Sequence, residues 1–164
     1  MALEVLRQAH LKGQGMVALL EGALSRLETT GGPLEPIDHF LAFCDGELEE
    51  HFAQEEETLF PRLEAAIGRA GPMMAMFEEH LSFWKAETAL KERLKAVREA
   101  PPSEAPAQAR SLLPLLRHIL WLLRSHIDKE EKVLLPLAEK VLSPQALQEV
   151  QEALASPKEI KGQP

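Results

Sequence analysis

The chain has 164 residues, with 45% of them hydrophobic and 27% charged, which is the balance of one folded domain with a core and excludes a disordered chain. A formal net charge of −8 excludes nucleic acid and anionic membrane as partners, because neutralising phosphates takes clustered Lys and Arg. A single cysteine, Cys44, excludes an internal disulfide and points to a reducing cytoplasm. The opening stretch "MALEVLRQAHLKG" is amphipathic and lacks a signal peptide's apolar centre. The longest apolar run, "LLPLLRHILWLL", is about half of what spans a bilayer. The expectation is a soluble cytoplasmic protein.

In chain order, apolar residues recur at steps of three and four, the stripe of a core-facing helix. The first segment carries Leu3, Leu6, His10, Gly13, Val17, Leu20, Leu24 and Leu27, and stops at the turn "TTGGPLEP" (29–36). The second carries Ile37, Leu41, Cys44, Leu48, His51, Glu55, Leu59, Arg62 and Ala66, and stops at "GRAGP" (68–72). The third runs Met73, Met76, His80, Phe83, Glu87, Leu90, Leu94 and Val97. After "EAPPSEAPA" (99–107), where Ser103 is predicted to cap a helix with Pro106 in its first turn, the fourth runs Leu116, Ile119, Leu123, His126, Glu130, Val133, Leu137 and Val141. Ser143 and Pro144 open a short fifth helix, and the tail "SPKEIKGQP" is expected to fray. The predicted fold is all-α: an antiparallel up-down-up-down four-helix bundle over residues 1–142, with the short helix and tail in 143–164.

Polar residues interrupt each stripe, and a buried polar group is costly unless partnered. His10, His51, His80 and His126 each sit on a seam, and Glu55 and Glu130 follow two of them by four residues, one helical turn on the same face. In a chain this rich in Glu, a lone His-x3-Glu pair is within chance. Position argues otherwise. Both pairs lie on a buried face, and both fall in a repeated stretch, "HFAQEEETLFP" and "HIDKEEKVLLP", whose Pro61 and Pro136 stand at the same offset. Measured from their shared turn, His10 and His51 both lie roughly 22–27 Å along their helices, so they share a layer. Glu55 and His80 match less well about theirs. Each pair is also preceded by a seam His on the helix before, giving two His-His-Glu sets. Two such sets suit a two-metal centre, with imidazoles as terminal ligands and carboxylates as bridges.

Other residues have plainer readings. His39 and His118 fall beside the seams, though His118 could support the site from outside. Glu56, Glu57 and Glu131 turn away from the ligand face and are expected to be solvated. Glu87 either supports the site or snorkels to water. Cys44 is too far along the axis to ligate and reads as a small core residue. Gly13 either leaves room for a small ligand or lets two helices approach closely.

The ordered set of His10, "HFAQEEETLFP", "EEHL" around His80 and "HIDKEE" resembles the hemerythrin-like family, in its HHE cation-binding branch, over His10 to Glu139. The resemblance implies a bundle holding two iron ions, oxo- or hydroxo-bridged, with His10 and His51 on one, His80 and His126 on the other, and Glu55 and Glu130 between. Manganese or zinc suits the same donors. Oxygen-carrying members have a further His where this chain has Trp84, and an Asp where it has Glu131. The resemblance therefore implies an open centre that binds or senses O2, nitric oxide or peroxide. The alternatives are an enzyme of peroxide or nitric oxide detoxification or of iron–sulfur cluster repair, and a metal-stabilised interaction or iron-sensing module whose protein partner is unknown.

Overall fold

A computed structural model describes residues 3–69 and 71–156. Ala70 of the "GRAGP" turn and residues 157–164 of the tail expected to fray lie outside the described residues. Among the described residues the regular structure is entirely helical. Helix α1 is Glu4–Thr30. Helix α2 consists of Glu35–Phe43, Glu49–Gln54 and Phe60–Ile67, joined by wider π-helical turns at Cys44–Leu48 and Glu55–Leu59. Helix α3 is Pro72–Glu99 and α4 is the short Ala105–Arg110. Helix α5 joins Leu113–Lys129 to Leu135–Val141 through a π turn at Glu130–Leu134, and α6 is Pro144–Ala155.

The breakers act as their chemistry requires. Pro36, Pro72, Pro106, Pro114 and Pro144 stand in first helical turns, where a missing N–H is harmless. Gly31 closes α1 at φ 76°, donating its N–H to the Leu27 carbonyl at 2.8 Å. A side chain there would meet the Pro106 backbone at 2.6 Å, so only glycine fits. Ser143 caps α6 as predicted, accepting from the Ala146 N–H at 3.1 Å. Ser103 does not cap α4. Its place is taken by the Pro101 carbonyl, which accepts from the Glu104 and Ala105 amides.

The π turns correct two of the predicted stripes. Pro61 and Pro136 have no N–H to offer Glu57 and Lys132, and their rings crowd those carbonyls. A π turn takes up the disruption by inserting one extra residue, and it rotates everything downstream by about 100°. Past Glu55 the buried residues are therefore Leu59, Phe60 and Leu63, while the expected Ala66 is exposed and Arg62 lies at the margin. Past Glu130 they are Leu134, Leu135 and Ala138, while the expected Val133 is 52% exposed and Leu137 and Val141 are half-buried.

The apolar core is divided in two. A larger cluster gathers Val17 to Leu27, Ile37 to Phe52, Phe83 to Val97 and Ala109 to Ile127. A smaller one gathers Leu3, Leu6, Leu59 to Leu63, Met73, Met76, Leu134 to Leu142, and Val150 and Leu154 of α6. Each of α1, α2, α3 and α5 passes through both clusters. The gap between them lies at the seam histidines of those helices, with Phe52 and Ile127 of the larger cluster directly after His51 and His126.

Candidate metal centre

The six polar seam residues meet in that gap. The i, i+4 spacing brings His51 Nε2 to 3.2 Å from Glu55 Oε1 and His126 Nε2 to 3.1 Å from Glu130 Oε1. The second oxygen of each carboxylate reaches across the fold. Glu55 Oε2 lies 3.3 Å from His80 Nε2, and Glu130 Oε2 lies 2.7 Å from His10 Nε2. Two quartets result, His10–His51–Glu55–Glu130 and Glu55–His80–His126–Glu130, each with its donor atoms within 4.8 Å of one another. Both quartets contain both carboxylates.

All six residues are at most 4% exposed, and Glu55 and Glu130 are wholly buried. His10 Nε2, His51 Nε2 and all four oxygens of Glu55 and Glu130 lack a partner in hydrogen-bonding geometry. Among the described residues the carboxylates' ion-pair partners are histidines, with neither Lys nor Arg among them. Two buried anions with orphaned oxygens call for positive charge. The protonation balance reflects that demand. Burial pulls the His10 and His126 imidazolium pKa down, but Glu130 and Glu55 outweigh it and push both up to about 10. Burial disfavours the Glu130 carboxylate, yet His126, His10 and His51 hold its pKa well below the usual range. Four imidazole nitrogens and two carboxylates around orphaned atoms fit a pair of divalent or trivalent cations, and the donor set suits iron, manganese or zinc.

Behind the imidazoles stand carboxylates that the sequence reading placed in water. The Nδ1–H of His80 donates to Glu56 Oε1 at 2.6 Å, and that of His10 donates to Glu131 Oε1 at 2.5 Å. His126 Nδ1–H donates to Glu79 Oε2 at 2.9 Å. A proton held at Nδ1 leaves the Nε2 lone pair facing the centre, the form that ligates a metal. Glu131 is itself steadied by Arg7 at 2.8 Å, and Glu79 by Lys129. Burial pushes the Glu79 carboxyl up, and His126 and Lys129 reverse that, leaving its pKa below the ordinary value. A turn of about 100° away from the ligand face aims Glu56 and Glu131 at the next helix, where a histidine's outer nitrogen waits. Glu79, directly before His80, was not singled out at all. The available signal was an acid directly beside a ligand in the sequence.

The remaining candidates are placed plainly. Glu87 is buried and pairs with Lys91 at 2.5 Å, so it snorkels toward a cation. Cys44 is a free thiol in the larger cluster, its pKa raised by burial and then by Glu87. Gly13 allows close approach, since a Cβ there would sit 3.0 Å from Ile127 Cδ1. His39 and His118 are exposed, and His118 stacks over Trp121. Phe52 lies face to face with the His80 ring at 3.8 Å, and Trp84 packs edge-on against Phe52.

A buried layer of histidines and shared carboxylates in an all-helical chain defines a class. Residues 1–138 match the hemerythrin HHE cation binding domain, and the chain belongs to that family. The family and the cluster together point to a metal site, with iron the metal they favour. Similar curated proteins are the iron-sulfur cluster repair protein YtfE of Salmonella typhimurium and that of Cronobacter sakazakii, each 31% identical over 101 residues. The matched segment is 60% of this chain and 45% of each relative, so the chain aligns to less than half of their length. No solved structure is matched. Among the described residues no helix is long and apolar enough to cross a membrane.

Proposed function

We propose that this is a di-iron protein that binds or senses O2, nitric oxide or peroxide. In this reading His10 and His51 serve one ion and His80 and His126 the other, with Glu55 and Glu130 shared as bridges. The observation that carries it is the sharing: both quartets contain the same two buried carboxylates. Iron bound there supplies a redox-active, Lewis-acidic pair able to coordinate a small ligand. The protein's own part is to hold three of the four Nε2 lone pairs inward, through Nδ1 hydrogen bonds at His10, His80 and His126. Flanking apolar clusters close the layer at both ends along the helices. Two histidines and two shared carboxylates are fewer donors than an octahedral ion takes, which leaves room for a small ligand.

The scaffold we propose is an antiparallel up-down-up-down four-helix bundle over residues 1–142, with 143–164 appended. Its support is that α1 and α3 run from the smaller cluster to the larger, and α2 and α5 run back. A reducing cytoplasm suits the buried free thiol of Cys44. A second reading, iron handling in iron–sulfur cluster repair, is favoured by the similarity to the YtfE proteins named for that role.

The test is metal analysis and optical spectroscopy of natively purified protein. About two irons per chain, with bands that azide, O2 or nitric oxide perturbs, support the main reading. Protein free of metal, and unchanged by Glu55→Ala with Glu130→Ala, would sink it. Consumption of peroxide or nitric oxide over many turnovers favours an enzyme, and stoichiometric uptake favours a binder.

A further inference from the structure

The centre is built on an approximate two-fold repeat in which His10 answers to His80, His51 to His126 and Glu55 to Glu130. The carboxylates behind the imidazoles obey it too. Glu56, directly after Glu55, holds His80 Nδ1, and Glu131, directly after Glu130, holds His10 Nδ1. Glu79, directly before His80, holds His126 Nδ1. The repeat calls for a fourth carboxylate directly before His10, to hold His51. That residue is Ala9.

A methyl group accepts nothing, and His51 Nδ1 is buried without a partner. His51 is 4% exposed, and its Nε2 edge is turned to Glu55, so the bare nitrogen is on the outer part of the ring. A cavity of about 330 Å³ lies there, with Ala9 and His51 both in its wall beside Glu47 and Glu50. Lys12 pairs with Glu47 at 2.9 Å in the same wall. In the opposite half both imidazoles are held at Nδ1 and Phe52 covers the His80 face at 3.8 Å. The cavity of about 380 Å³ beside Phe52 and Glu56 has neither His80 nor His126 in its wall.

We propose that the His10–His51 position is the weaker, exchangeable cation position of the pair, and that Ala9 makes it so. The inference rests on the two-ion reading above. An imidazole without a hydrogen bond at Nδ1 is free to place its proton on Nε2 and to tilt, so it offers its lone pair for less of the time and with lower basicity. Loss of one such outer partner lowers metal affinity about 10–100-fold. The cavity opens against the outer side of His51 and away from the tighter position, and Glu50, in its wall beside the lysine-paired Glu47, favours a cation there. One ion then stays as a fixture while the other is taken up and given away.

The test equilibrates natively purified, iron-loaded protein against increasing chelator and measures the iron left per chain, with circular dichroism reporting the fold. Wild type should lose its ions in two steps separated by about 10–100-fold in free iron. Ala9→Glu should close the gap by strengthening the weaker step, and Glu79→Ala, its mirror image, should close it by weakening the tighter one. His51→Ala should abolish the weak step and spare the tight one. Two ions lost in one step by wild type, or a folded Ala9→Glu variant whose weaker step is unmoved, would overturn the ranking. If Ala9→Glu does not fold, Glu79→Ala decides alone, and an undiminished gap overturns the proposal. Protein that holds fewer than two ions even at saturating iron overturns the pair reading itself, a result distinct from two ions held alike.

Discussion

The stretches beginning at His51 and His126 hold their ligands by the same device but are walled by different material. In both, a His-x3-Glu turn leads into a π turn, and a proline follows two residues later. The residue after the first histidine is Phe52, stacked on His80 and edge-on to Phe83, Trp84 and His126. The residue after the second is Ile127, whose Cδ1 fills the space that Gly13 leaves open in α1. One wall is thus an aromatic stack and the other a close approach of two helices. The difference shows that the repeat fixes where ligand atoms go, while packing behind them is free to diverge, and stability and metal affinity can be tuned half by half.

The strongest way to break the comparison is to remove what the halves share. On the proposed two-ion reading, because Glu55 and Glu130 belong to both quartets, Glu55→Ala or Glu130→Ala alone should release both ions, whereas His126→Ala should strip chiefly its own side. Metal content per chain checks this. A single Glu substitution that retains one tightly held ion would show that the carboxylates are not shared.

The next effect acts on both halves at once through pH. In the metal-free chain, His10 and His126 have folded-state pKa values of about 10 against an ordinary 6.5, because Glu130 and Glu55 outweigh the cost of burial. A raised pKa stabilises the fold fully below about 6.5, and that stabilisation is lost as pH rises through about 10. For the pair, allowing for their coupling, it is on the order of 5 kcal/mol. Metal-free protein should therefore melt at a lower temperature at pH 9.5 than at pH 7. Metal-loaded protein should not show this fall, since ligating imidazoles are already deprotonated and protons compete less as pH rises. Parallel thermal melts with and without metal test it, and metal-free protein that gains stability toward pH 9.5 contradicts it.

The walls can then be probed directly. Phe52→Ala should cost about 3–5 kcal/mol in urea unfolding of the metal-free chain, and Ile127→Ala should fall lower within about 2–5. The excess at Phe52 is its ring contacts, worth about 0.5–1.5 kcal/mol beyond the area buried. Equal costs would mean that the stack on His80 adds nothing. Smaller again, and readable only in metal affinity, are Glu56→Gln and Glu131→Gln. Each should weaken the half whose histidine it holds, His80 for Glu56 and His10 for Glu131, about 10-fold at least while leaving the melting temperature of the metal-free chain nearly unmoved.

How much of this was legible in the sequence differs by residue. His10, His51, Glu55, His80, His126 and Glu130 could be found because each interrupts an apolar stripe that keeps its face as far as the π turns beginning at Glu55 and Glu130. The earlier π turn at Cys44–Leu48 leaves Cys44, Leu48 and His51 all buried. Downstream, Arg62, Ala66 and Val133 were misplaced, because a stripe read at a fixed period cannot see a π turn inserting one residue. The repeated Pro61 and Pro136 were the signal, read only as a mark of duplication. Glu56, Glu79 and Glu131 were hidden for another reason. Their partners lie on other helices, and the face that looks solvent-exposed on an isolated helix meets a neighbour's histidine when four helices surround one layer. The bare nitrogen of His51 was invisible because it comes from an absence, the methyl of Ala9 where the repeat calls for a carboxylate.

The smallest effect sharpens the contrast between the walls. Gly13 and Gly15 lie two residues apart in α1, and each costs the helix about 1 kcal/mol relative to alanine. A Cβ at Gly15 meets nothing within 4 Å, so Gly15→Ala should recover that whole amount. A Cβ at Gly13 comes 3.0 Å from the tip of Ile127, which must give way, so the same substitution there should recover little or nothing. Combining Gly13→Ala with Ile127→Val removes the obstructing methyl, and the pair should be less damaging than the sum of its parts. Strict additivity in urea unfolding would show that α1 and α5 do not touch closely enough at this level to make glycine necessary, and that the second wall is looser than its geometry indicates.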